Sequence, residues 1–136
     1  CEMVRAGMTS RYLPTDTKVI TTLNDPRTEN IAKSISNTRS AAAVELWKNN
    51  IEGAIVCIGN APTALFHLLE LLEKGWPRPA LILGFPVGFV GAAESKAELS
   101  KNNLGLSFVT LKGRRGGSAL ASAAVNALSV SLRENE

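Results

Sequence analysis

Apolar residues in this chain come in short blocks cut by glycine, proline and asparagine, and the spacing inside each block predicts an element. Pro79-Ala80-Leu81-Ile82-Leu83 is continuous, apolar and bounded by turn formers, the pattern of a strand buried on both faces. Gly53 to Ile58 repeats that pattern, while Lys18 to Leu23 and Ser107 to Lys112 are rich in β-branched residues and predict two further strands. Elsewhere the period becomes helical. Leu65, Leu68, Leu69 and Leu72 form one stripe with Glu70, Glu73 and Lys74 on the other side, predicting a helix from Pro62 or Thr63 to Lys74, closed by Gly75. Further helices are expected at Glu2 to Gly7, from Pro26 behind an Asp25 cap to about Ser36, at Ser40 to Asn50, at Ala92 to Leu99 and from Ser118 to about Arg133.

A strand, a glycine-bearing exit loop and a helix recur at Gly59, Gly84 and Gly113, which signals βαβ units. The expected fold is a single α/β domain over residues 1–136. It is a three-layer α/β/α arrangement, flavodoxin- or Rossmann-like, with a mainly parallel sheet of four to five strands. In such a sheet ligands sit beyond the carboxyl ends of the strands, so the loops after Leu23, Ile58, Leu83 and Lys112 should open on one side. The stretch Leu83 to Ser95 is the centre of this design, because it turns an apolar strand into a glycine-punctuated loop and then into a helix start.

Composition narrows the function more than the fold. With 45% hydrophobic and 20% charged residues the chain is globular, and no apolar run approaches the roughly 18 residues that a membrane span needs. The net charge of +3 is mild and aromatics are 5%, which favours a small anionic ligand over nucleic acid. Cys1 and Cys57 can make neither a disulfide framework nor a metal cluster by themselves, and they fit a reducing cytoplasm. The opening Cys1-Glu2-Met3-Val4-Arg5-Ala6-Gly7 reads as the interior of a longer chain.

Neither glycine loop has the spacing of a dinucleotide fingerprint, and no phosphate-loop Gly-Lys-Ser/Thr occurs. The cationic candidates are Arg114 and Arg115 between glycines ahead of Ser118, and Arg39 between Thr38 and Ser40 at a helix start. His67 is the one histidine; its neighbours on the helix are Glu70 and Lys74, so a surface role away from the exit loops is expected. Cys57, inside a strand, reads as filler and not as a nucleophile.

Taken in order, Thr22 to Arg27, Asn37 to Ala42, Gly59 to Ala64, Gly84 to Lys96 and Gly113 to Ser118 resemble the precorrin-8X methylmutase (precorrin isomerase) family over essentially the whole chain. The resemblance implies an isomerase of cobalamin (corrin) biosynthesis. It would move a methyl group between adjacent ring carbons of precorrin-8X, or of cobalt-precorrin-8, to give hydrogenobyrinate or cobyrinate, with no redox cofactor and no protein-bound metal.

It also implies that these residues correspond to the C-terminal two-thirds of such an enzyme. The family's N-terminal portion, with a first strand ending just before Cys1 and the histidine that protonates the ring, has no counterpart here. His67 does not replace that histidine, so no catalytic residue is assigned and the chain alone is expected to be inactive or severely impaired. The substrate carries many carboxylates, so its implied contacts are distributed. They fall on Thr38, Arg39 and Ser40, on Asn60, Ala61, Pro62 and Thr63, on Pro86, Val87, Gly88, Phe89, Glu94 and Ser95, and on Arg114, Arg115, Gly116, Gly117 and Ser118. A homodimer, or a partner chain supplying the missing portion, is the expected assembly, with no nucleic acid or membrane involved.

Two other readings remain compatible with the residues. One is a non-catalytic module that holds tetrapyrroles or other polycarboxylates. The other is an unrelated α/β enzyme using Asn60, Glu94 and Arg39 on a small phosphorylated ligand.

Overall fold

The computed structural model describes residues 1–134. Its helices are α1 (Glu2–Gly7), α2 (Thr28–Ser34), α3 (Arg39–Glu45), α4 (Pro62–Glu73), α5 (Ala92–Lys101) and α6 (Ser118–Glu134), with a short 3-10 turn at Ser10–Tyr12. Its strands are β1 (Ile55–Ile58), β2 (Leu81–Gly84) and β3 (Phe108–Thr110), paired in that order and all parallel. The βαβ units read from the glycine spacing thus hold for β1-α4-β2 and β2-α5-β3, whose strands pair in parallel.

Alternation along the strands explains the layers. Val56, Ile58 and Ile82 point into one core with Val44, Leu65, Leu68, Leu72 and Leu99 from α3, α4 and α5. Leu83, with Cys57 and Leu81 partly buried, points the other way, toward Val4 of α1 and Ala121 and Val125 of α6. Both faces of the sheet are therefore covered, as an all-parallel sheet requires.

The sheet is narrower than the four to five strands expected. Lys18 to Leu23 forms no strand: composition can make a backbone extended, but a strand also needs a ladder partner, and this segment has none beside it. It is held instead by side chains. Thr22 Oγ1 donates to the Ala43 carbonyl at 2.6 Å and accepts from Trp47 Nε1 at 2.9 Å, and the Thr22 carbonyl accepts from Thr28 Oγ1 at 2.6 Å. Between Thr17–Leu23 and the open edge of β1 runs an apolar groove of about 440 Å³, lined in part by Val19, Ile20, Val56, Cys57, Val125 and Leu132.

Two helix boundaries also moved. α2 starts at Thr28 because Asp25 and Arg27 first close a turn, with Arg27 donating from its backbone, Nε and Nη2 to the Asp25 carboxylate. α3 ends at Glu45, after which Leu46, Trp47 and Asn50 bond three residues back in successive tight turns.

His67 is the clearest correction. It is 7% exposed, not a surface residue, because α3 packs along α4 and covers it. Its Nε2 donates to Glu45 Oε1 at 2.7 Å, and Nδ1 lies 3.6 Å from Glu70 Oε2 without a hydrogen-bond partner. The neighbour on its own helix was legible from the spacing; the neighbour on α3 was not.

Candidate functional site

The parallel sheet sends every strand-exit loop to its carboxyl rim, and there the loops are bonded to one another in sequence around the edge. Arg39 Nη2 donates to the Leu23 carbonyl at 3.0 Å and lies 3.5 Å from Asn24 Oδ1, tying the first turn of α3 to the segment before α2. Thr38 Oγ1 caps α3 by accepting from the Ala41 N–H and shares a 2.7 Å hydrogen bond with Thr63 Oγ1 at the start of α4. Val87 N–H donates to the Asn60 carbonyl at 3.3 Å, which joins the exit of β1 to that of β2.

The next link is between the glycine loop and the basic turn. Gly88 N–H donates to the Arg114 carbonyl at 3.2 Å and Gly117 N–H to the Phe85 carbonyl at 2.9 Å. Gly116 sits so close to the Phe85 and Pro86 carbonyls that an added Cβ would collide with backbone, so glycine is required there for contact and not for its φ. Gly117 has φ 112°, which turns the chain into α6. Ser118 closes the ring of contacts: its Cα would touch a Cβ at Gly59, and its Oγ is 3.5 Å from Cys1 Sγ.

The rim thus carries Arg39, Arg114 and Arg115, all exposed, with Thr38 and the Asn60 carboxamide also facing solvent and Thr63 half-buried. α4 opens with Pro62 at its first position behind Ala61, and α5 opens behind Gly91; neither start is capped by a side chain. Pro62 has no N–H and the Ala64 N–H donates to the Ala61 carbonyl at 3.2 Å, so the helix-start donors left for an anion are chiefly those opening α5. At the loop tip Phe89 and Val90 are 82% and 90% exposed, and the Arg114 guanidinium lies 5.2 Å from the Phe89 ring centroid. Cations, N–H donors and an exposed apolar flap in one place suit a large, flat ligand with acidic edges.

Some expected residues take other places. Ser95 is fully buried and its Oγ donates to the Ala92 carbonyl, so its hydroxyl is engaged in the first turn of α5. Pro86 is buried beneath the glycine loop, while Glu94 is exposed on the first turn of α5. Ser40 and Ala61 are half-buried and, with Asn60, line the end of the groove beside β1. Cys57 lines the same groove, and burial pushes its thiol up to about 11, which removes it as a thiolate nucleophile at neutral pH.

One rim residue escaped the sequence reading. Lys96 is 1% exposed and its Nζ donates to the Arg115 carbonyl at 2.5 Å. The available signal was its helical spacing from Ala92 and Leu99, which places it on the buried stripe of α5. Among the described residues, no group of three or more His, Cys, Asp or Glu side chains is arranged to hold a metal ion, and no helix is long and apolar enough to cross a membrane.

Comparison with known proteins gives a consistent picture. The family model for precorrin-8X methylmutase matches residues 1–131. The chain is 58% identical over 126 residues to a precorrin-8X methylmutase of Pseudomonas aeruginosa, covering 93% of this chain and 61% of that protein. It is 38% identical over 134 residues to a cobalt-precorrin-8 methylmutase of Methanocaldococcus jannaschii, covering 98% of this chain and 60% of that one. A crystal structure of a precorrin-8X methylmutase from Thermus thermophilus superposes with a TM-score of 0.86 at 36% identity, over 99% of this chain and 65% of the other. The chain thus spans about three fifths of the length of the curated relatives it matches.

Proposed function

This chain belongs to the precorrin-8X methylmutase family, and from that premise we propose that it provides the substrate-holding part of an enzyme that shifts a methyl group within precorrin-8X or cobalt-precorrin-8. The observation that carries the proposal is the unbroken set of contacts around the sheet's carboxyl rim. Those contacts link Arg39, Thr38, Thr63, Asn60, the Val87–Val90 flap and the Arg114–Gly117 turn, which supports their acting on one ligand.

Each group has a task that follows from its chemistry. Guanidiniums bind the peripheral carboxylates, with a fork geometry that suits two oxygens at once. Hydroxyls, the Asn60 carboxamide and helix-start N–H groups take the remaining acid and carbonyl oxygens. Phe89 and Val90 cover a face of the macrocycle and displace water from it. Such a site fixes the ring so that the migrating methyl and its acceptor carbon stay aligned, which is the entropic part of catalysis.

Proton donation is a separate requirement, and the one histidine is buried between α3 and α4. We therefore assign the acid that drives the shift to a group outside these 136 residues, on the family's remaining portion or on a partner subunit. A site built for a small phosphorylated ligand would not need an exposed apolar flap or cations spread along the whole rim, so the corrinoid reading fits the geometry better.

Titration with hydrogenobyrinate, followed by absorbance, tests the reading. The wild-type chain should bind it, and Arg39→Ala should weaken binding roughly tenfold, as loss of a charge-assisted contact predicts. Equal binding by Arg39→Ala, or competition by inorganic phosphate but not by corrinoids, would contradict it.

A further inference from the structure

Lys96 is a cation on the apolar stripe of α5, between Ala92, Ser95 and Leu99, all buried. Such a position normally holds leucine or methionine, because taking an ammonium out of water is costly unless an anion compensates it. Among the described residues no carboxylate pairs with it: Asp25, Glu29, Glu45 and Glu70 form their ion pairs with other partners. Glu94 and Glu98 are on the same helix but are exposed on its outer side. The Arg115 carbonyl is its acceptor, which leaves its other N–H groups unspent, and burial lowers its pKa.

The place of that acceptor gives the lysine a purpose. The basic turn is fastened from below by successive carbonyls, Arg114 to the Gly88 N–H and Arg115 to Lys96 Nζ, while Gly117 N–H holds the Phe85 carbonyl. With their carbonyls turned down, the turn presents its guanidiniums outward, and Arg114 reaches the Phe89 ring.

We propose that Lys96 is a positioning residue for the Arg114–Arg115 turn: its ammonium pins the Arg115 carbonyl from beneath and holds an unneutralised positive charge under the place where a ligand carboxylate binds. The carboxylate is the counter-ion that the fold itself does not supply. The identity of that ligand rests on the corrinoid reading above, whereas the pinning of the turn does not.

Lys96→Met and Lys96→Gln, made in the whole chain, separate these parts. Lys96→Met removes a buried charge, so its melting temperature should equal or exceed that of wild type. Amide exchange at Gly88 and Gly117 should nevertheless quicken roughly tenfold, and hydrogenobyrinate should bind roughly tenfold more weakly. Lys96→Gln keeps an N–H for Arg115, so it should restore the exchange protection while leaving hydrogenobyrinate binding weakened for want of the charge. Unchanged protection at Gly88 and Gly117 in Lys96→Met would overturn the proposal whatever the ligand does. Wild type that fails to bind hydrogenobyrinate, with protection lost in Lys96→Met, would instead overturn the corrinoid reading and leave the pinning in place. A fall in melting temperature for both variants, with protection and binding intact, would show a merely structural lysine and overturn the inference.

Discussion

A missing side chain does more at Gly116 than most side chains do elsewhere. Its backbone φ lies outside the positive range, so the demand for glycine comes from distance alone: the Phe85 and Pro86 carbonyls occupy the space a Cβ would need. Gly116→Ala should therefore push the basic turn off the glycine loop. A cost of about 1–3 kcal/mol in unfolding free energy is expected, as for other overpacked sites. Urea denaturation measures it, and corrinoid affinity should fall in the same variant because the Gly117 to Phe85 bond is strained with it. Gly113→Ala is the control: nothing stands within 4 Å of its Cβ position, so only its φ of 85° opposes the change and Phe85 and Pro86 stay in place. The sequence showed glycines flanking the arginines, and so a turn. It could not show which glycine was needed for contact and which for conformation, since that depends on where Phe85 and Pro86 lie in space. The burial of Ser95 was hidden for a related reason, because a hydroxyl next to a glycine loop looks exposed until the helix buries it.

Elements were legible where a boundary residue and a period agreed. α4 could be placed from its apolar stripe behind a proline, α6 from the glycine turn ahead of Ser118, and β1 and β2 from apolar blocks between turn formers. The Lys18–Leu23 stretch has the composition of a strand but lies across a groove from the nearest one, so β propensity alone misled. His67 misled because burial of a helix's flank is decided by the neighbouring helix. The α3 to α4 contact is now testable at that scale. Glu45→Ala removes the carboxylate that accepts from His67 Nε2, leaving both ring nitrogens of a 7% exposed side chain without a hydrogen bond. The loss should be about 1–3 kcal/mol of stability, the cost of leaving a buried polar group unsatisfied. Chemical denaturation of Glu45→Ala checks it, and corrinoid binding should be unchanged because the Thr38 to Thr63 bond at the rim survives. A loss of binding equal to that of Arg39→Ala would show instead that the rim depends on the α3 to α4 seam.

At the scale of the whole molecule, the proposed function gives holding a ring and protonating it to different parts of the enzyme. The carboxyl rim carries guanidiniums, hydroxyls and peptide N–H groups, a chemistry suited to binding and orienting an acidic ring. The imidazole lies in the α3 to α4 seam, engaged with Glu45, and the Cys57 thiol, pushed up to about 11, faces the groove beside β1. General acid catalysis contributes on the order of 10²–10⁴-fold, and it requires the donor to be within hydrogen-bond reach of the atom it protonates. These 136 residues by themselves should therefore bind hydrogenobyrinate yet convert precorrin-8X on the order of 10²-fold or more slowly than the Pseudomonas aeruginosa relative, of which they cover 61%. A side-by-side assay by the absorbance change from substrate to product decides it. Turnover within a few-fold of that relative would mean that the rim supplies its own acid. Glu94, exposed at the start of α5, would then be the first side chain to replace, and Glu94→Gln should abolish the activity. Slow turnover that Glu94→Gln leaves unaltered is the result expected of a rim that only holds its substrate.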